Sequence, residues 1–182
     1  MRRLTSARLG LGEADVVLGC DLLVTAGDEA LSRLRPGRAQ LVVNSAETPT
    51  SEFSRNPDWS FDAAALNERL KTQADGRVEL LDASALAAAL LGDAVFANML
   101  LLGVAWQRGL VPVSWDSLKT AVELNGVQVG SNLAALVWGR AWAADAARVQ
   151  SLTEAARPAQ VISLPVSESL QTIVRDRLQR LT

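Results

Sequence analysis

Apolar and polar positions alternate with two different periods along this chain, and the change of period divides it. Asp15-Val-Val-Leu-Gly-Cys-Asp21, Arg38-Ala-Gln-Leu-Val-Val-Asn44 and Arg77-Val-Glu-Leu-Leu-Asp82 are short apolar runs closed by polar residues, and each predicts a buried strand. Between the first two, Leu22, Leu23, Ala26, Ala30, Leu31 and Leu34 recur at helical spacing until Pro36-Gly37 stops them, so 22–34 reads as one helix. Strand, helix, strand implies parallel strands joined by a right-handed crossover. Glu47 to Asp58 holds two prolines among small polar residues and predicts an exposed loop, and Phe61 to Thr72 predicts the next helix.

From Ser84 onward the strand pattern stops. Ala85 to Leu91, Ala94 to Arg108, Trp115 to Leu124 and Val129 to Val149 are helical in period or propensity. Ser114 is placed as an N-cap with Asp116 in the first turn, and Gly126 stands just past the end. Arg157 to Pro165 reads as a connector, and Glu168 to Leu181 as an amphipathic helix in need of a partner surface. The expected fold is a three-layer α/β domain with a short, mostly parallel sheet and a helical C-terminal half. No internal repeat, coiled coil or low-complexity block interrupts it.

Within the apolar helices lies a polar and small set: Gly92-Asp93, Asn98, Gly103, Glu123-Leu-Asn125-Gly126, Asn132 and Trp138-Gly139-Arg140. Amides and glycines are poor helix formers, so each asks for a packing or recognition reason. Asn98 shares a face with Val95, Leu102 and Trp106, and Asn132 with Ala135, Leu136 and Gly139. Buried there, the two amides need each other or a crossing backbone as partners. Gly103 and Gly139 would let helices approach closely. Arg140 has Glu123 or Asp93 as possible partners, or an incoming phosphate or carboxylate from a neighbouring subunit. A structural or interface role is expected for Asp93, Asn98, Gly103, Glu123, Asn125, Asn132, Gly139 and Arg140, because no nucleophile or base accompanies them. Trp59, Trp106, Trp115, Trp138 and Trp142 read as core packing, with an interface as the alternative.

Composition narrows the chemistry. The 182 residues suit one domain, able to bury roughly 70% of the unfolded surface. There is no histidine, so Ser-His-Asp and Cys-His nucleophile systems and His-bearing zinc sites are excluded within the chain. The single Cys20 can form neither an internal disulfide nor an iron-sulfur cluster on its own, and it fits a reducing cytoplasm. A net charge of −2 draws in no nucleic acid. The longest apolar run, Ala94 to Trp106, is interrupted by Asn98 and falls short of the ~20 residues of a membrane span, and no signal peptide is read at Met1 to Gly12. Gly10-Leu-Gly12 is half a dinucleotide fingerprint, but Asp15 stands where the third glycine belongs and the pair precedes a strand, so it reads as a loop. Cys20 and Asp21 end a predicted strand, the edge where α/β proteins hold ligands, but a buried small thiol and a loop-starting carboxylate are the favoured reading of the pair.

Ala14 to Asp21, Pro36-Gly37 through Asn44, Gly92-Asp93 with Asn98 and Leu101-Leu-Gly103, Gly109 to Pro112, Glu123 to Gly126 and Asn132 to Arg140 together resemble the gamma-type domain of the thiamine diphosphate-dependent 2-oxoacid:ferredoxin oxidoreductases. The resemblance is closest to the version inside the fused indolepyruvate ferredoxin oxidoreductases, and it covers roughly residues 14 to 148. That family's gamma domain opens with a glycine-rich GxGGQG half, and nothing like it stands here, so the chain resembles a trimmed or excised piece of a larger polypeptide. Residues 1–150 are then a partial gamma-type domain, and 151–182 a connector and helix leading into a further region.

The resemblance implies oxidative decarboxylation of an arylpyruvate to an acyl-CoA, with electrons passing through iron-sulfur clusters to ferredoxin. Thiamine diphosphate and the clusters would sit in other domains of the parent enzyme, with no cofactor, metal or catalytic residue carried by this chain. Its partners would be those domains or subunits, ferredoxin through them, and a second copy, since an incomplete sheet exposes an edge. Two other classes remain open, a stand-alone interaction scaffold and a CoA- or nucleotide-binding protein using the Cys20-Asp21 strand end.

Overall fold

The computed structural model describes residues 8–47 and 62–155. Three strands, β1 (Val16–Gly19), β2 (Gln40–Asn44) and β3 (Val78–Leu81), form one parallel sheet in the order β1-β2-β3. Val17 stands opposite Leu41, and Leu41 opposite Val78. The central strand decides the layering, because successive residues of a strand face opposite sides. Leu41 and Val43 point into one core with Leu22, Ala26, Leu34, Leu70 and Ala74, whereas Val42 points into the other with Leu86, Phe96, Leu100, Leu101 and Val104. All three β2 residues are essentially buried, as expected of a parallel strand covered on both faces. The three-layer α/β arrangement with a helical C-terminal half follows.

One outer layer holds α1 (Leu22–Thr25), α2 (Asp28–Arg33) and α3 (Ala63–Gln73). The other holds α4 (Ala83–Leu91), a 3-10 turn (Ala94–Phe96), α5 (Ala97–Gln107), α6 (Trp115–Asn125), α7 (Val129–Ala144) and α8 (Ala146–Ala155). Among the described residues no helix is long and apolar enough to cross a membrane.

The single helix expected over 22–34 is two, because Gly27 is extended and starts α2 afresh with Asp28 and Glu29 in its first turn. Ala94 to Arg108 divides at Phe96, where a 3-10 turn capped by Asp93 hands over to α5. Val129 to Val149 divides at Asp145, which is extended and takes the Arg148 N–H on its carboxylate at 3.0 Å. At Asp145 the side chain replaces a helical hydrogen bond at the break, whereas Gly27 and Phe96 start their helices without a side-chain cap. Ser114 caps α6 through the Ser117 N–H at 3.1 Å, and Gly126 closes that helix at φ +71°, as the pattern required. Most of the 47–58 loop, Trp59, the 157–165 connector and the 168–181 helix lie outside the described residues.

Candidate functional site

The helical half is organised by the crossing of α5 and α7. A Cβ placed on Gly103 would meet the Leu136 carbonyl oxygen, and one on Gly139 would meet the Leu100 carbonyl, both well inside the 3.0 Å that real Cβ atoms keep. Each glycine thus receives the backbone of the opposite helix, and the contact is reciprocal. Leu100, Leu101, Val104, Ala135 and Leu136 close around the crossing, each at most 1% exposed. Side chains cannot separate two backbones at such a point, so the relative position of α5 and α7 is fixed at the main chain.

Arg140 leaves the same helix one residue later and meets neither Glu123 nor Asp93. Its guanidinium carbon lies 4.8 Å from the Trp106 ring centre and 4.4 Å from that of Trp115, while Nε donates to Gln107 Oε1 at 3.0 Å. The rings are themselves 5.1 Å apart, and Trp106 is fixed by donating Nε1–H to the Val113 carbonyl at 2.9 Å. The expected acidic partner is corrected to an aromatic one: a delocalised cation lies favourably on the negative faces of two indoles. Arg140 therefore staples α7 to the end of α5 and the start of α6. Arg140→Ala should lower stability by about 1–2 kcal/mol, or roughly 2–8 °C in Tm for a domain of this size. Arg140→Lys should recover little of it in a thermal melt, because an ammonium lacks the planar stack.

The remaining polar positions separate. Asn98 is exposed on α5 and so needs no buried partner, and of the two partners open to a buried amide, Asn132 takes a backbone carbonyl rather than Asn98. Asn132 is half-buried and donates Nδ2–H to the Val127 carbonyl at 2.9 Å, tying the α6–α7 turn. It lines a shallow apolar cleft of about 230 Å³ with Asn125, Met99, Leu102, Leu118 and Val122. Glu123 and Asn125 are exposed, and the Glu123 carbonyl accepts the Gly126 N–H at 3.2 Å. Asp93 accepts the Val95 N–H at 2.9 Å. Trp138 and Trp142 pack against the larger core, and Trp142 also borders a cavity of about 220 Å³ with Asp82, Leu86, Gln150, Thr153 and Glu154.

At the carboxyl end of the sheet, Asp21 caps α1 through the Val24 N–H at 2.8 Å, and Asp82 caps α4 through the Ala85 N–H at 2.8 Å. The exposed Cys20 thiol is pushed above its ordinary pKa by partial burial, which keeps it protonated and a weak nucleophile near neutral pH. Between these strand ends sits Asn44, a residue the sequence reading passed over. Its Nδ2 donates to Ser84 Oγ at 2.9 Å and to the Cys20 carbonyl at 3.4 Å. Its Oδ1 accepts from the Ala83 N–H at 3.0 Å and the Ala46 N–H at 3.2 Å. The signal available was an amide ending an apolar strand, where a buried polar side chain must find partners. No group of three or more metal-ligating side chains occurs among the described residues.

Residues 3–142 match the model of the pyruvate ferredoxin/flavodoxin oxidoreductase family. No curated protein and no solved structure matches the chain. A match over most of the length shows the family, and the chain belongs to the pyruvate ferredoxin/flavodoxin oxidoreductases.

Proposed function

We propose that the chain is an architectural domain of a cytoplasmic, thiamine diphosphate-dependent 2-oxoacid:ferredoxin oxidoreductase. The substrate is an arylpyruvate such as indolepyruvate, oxidatively decarboxylated to an acyl-CoA with electrons delivered through iron-sulfur clusters to ferredoxin. The reading is carried by what the prominent polar groups do: Asp21 and Asp82 cap helices, Asn44 joins strand ends, and Arg140 lies against two adjoining indoles. All four hold the fold. The diphosphate does not fit the strand ends of this chain, because carboxylates already occupy the helix starts there and would repel it. In this reading the cofactor and clusters belong to other portions of the enzyme, and this chain supplies a rigid wall against which they assemble.

The test is reduction of a viologen dye by the thiamine- and cluster-bearing portions, dependent on indolepyruvate and CoA, with and without the full chain. The expected result is turnover that requires the chain. Equal rates in its absence, with the partners shown to be intact, would refute the role. Turnover with pyruvate alone would keep the role and replace the substrate.

A further inference from the structure

Of the 11 residues of α6 only Val122 is fully buried, and α7 is the helix it chiefly rests on. An isolated helix of that length is marginal in water, so α6 depends on whatever covers its remaining apolar side. That side is a groove. Met99 and Leu102 of α5 face Leu118, Ala121 and Val122 of α6 across about 230 Å³. The contact of the Trp106 and Trp115 rings, 5.1 Å apart, closes one end, and the other leads past Met99 to Val95, 65% exposed, with Leu124 at the end of α6 83% exposed. From Val95 to Trp106 the wall is about 16 Å long at the rise of a helix. One polar spot interrupts it. The Asn125 side chain and Asn132 Oδ1, both at the groove, accept no hydrogen bond among the described residues.

We infer that the amphipathic segment 168–181 of this same chain lies in the groove as a helix and covers α6. The segment is outside the described residues, and its sequence matches the groove in pattern, length and polarity. Leu170, Val174 and Leu181, with Ile173 and Leu178 beside them, recur at the spacing of one helical face, the pattern by which a helix enters a groove. From Leu170 to Leu181 such a helix is about 16 Å long, equal to the α5 wall. Arg177 falls on the same stripe, between Val174 and Leu181, where a wholly apolar groove would reject it. Here it meets the amide oxygens of Asn125 and Asn132, acceptors for a guanidinium. Reach and tethering agree. Residues 156–167 join α8 to the segment and extend up to ~40 Å, against a radius of gyration of about 14 Å for a domain of this size. A helix so attached is present at roughly millimolar effective concentration, ahead of a second copy or a separate partner in dilute solution.

The docking concerns this chain alone and its test reads no activity, so it stands or falls apart from the oxidoreductase role. Carbon-13 methionine-methyl NMR of the full chain is the test, because Met1 and Met99 are its only methionines. The Met99 methyl should show nuclear Overhauser contacts to methyls of Ile173, Val174 or Leu178 that persist on dilution. Ile173→Asp should abolish them, move the Met99 signal and speed hydrogen exchange of the α6 amides at least about tenfold, while the amides of β2 and α5 keep their protection. Ala121→Asp, at an exposed position of the groove wall, should do the same from the other side. The wild-type contacts decide the matter even where a variant does not fold. Their absence, or α6 exchange indifferent to both variants, would overturn the docking. Contacts seen only between differently labelled copies would overturn it and give the groove to a second copy. A Met99 signal that moves only with the other portions of the oxidoreductase would overturn it likewise and give the groove to them.

Discussion

Gly139→Ala should cost about 3–5 kcal/mol and Gly103→Ala a similar amount, enough to melt the helical half of a protein whose whole stability is about 5–15 kcal/mol. The added methyl gains about 1 kcal/mol of helix propensity, which is the wrong sign to explain any loss. The loss comes from position. The new carbon meets the backbone of Leu100 or Leu136, and a carbonyl inside a helix cannot turn aside as a flexible side chain can. The helices must separate, and the seam lined by Leu101, Val104 and Ala135 then opens. Two controls make the expectation specific. Gly130→Ala, at an exposed α7 position with nothing within 4 Å of the added carbon, should be neutral or stabilising by up to ~1 kcal/mol. The double variant at Gly103 and Gly139 should lose distinctly less than the sum of the singles, because helices already separated for one methyl accommodate the second. Urea denaturation followed by tryptophan fluorescence reads all four, and additive losses would refute a shared crossing.

How far these features were legible in the sequence depends on what each required. The three strands were readable because apolar runs closed by polar residues leave few alternatives, and the structure trims them by only a few residues. The helix breaks at Gly27, Phe96 and Asp145 were not. A lone Asp in an alanine-rich run is equally an exposed helical position and a cap, and only the path of the chain over the sheet decides between them.

The site shows the same division. Glycines 103 and 139 announce close approach, yet no pattern names the carbonyls they receive. Whether Asn98 is buried is not legible, because α5 is apolar nearly all round and its solvent side leaves no periodic trace; Val95, which shares its face, is itself 65% exposed. Arg140 was offered acids as partners because charge is visible in a sequence. The convergence of Trp106 from α5 and Trp115 from α6 on one guanidinium is a tertiary fact.

Asn44→Ala should destabilise the protein by about 3–4 kcal/mol, a large effect for a single side chain at a strand end. The wild-type residue is 5% exposed. Its removal would leave the Ala83 N–H without its acceptor in a buried setting and the Cys20 carbonyl without its side-chain donor, while Ser84 and Ala46 lose a partner nearer to solvent. Each buried orphan costs about 1–3 kcal/mol, and the small cavity adds to it. Ser84→Ala removes one bond and leaves the amide its other donor contact, so it should cost only about 1 kcal/mol. Ligand behaviour then separates two meanings of this edge. In many parallel sheets the crevice at the carboxyl ends stays open for a ligand. Here Asn44 fills that position and spends its hydrogen bonds on β1 and on the β3–α4 junction. Chemical denaturation of Asn44→Ala should therefore show a lower midpoint with an unchanged slope, and saturating CoA should raise the Tm of neither wild type nor variant. A CoA-dependent rise in the wild type that Asn44→Ala abolishes, with folding intact, would make the amide a ligand contact and the edge a binding site.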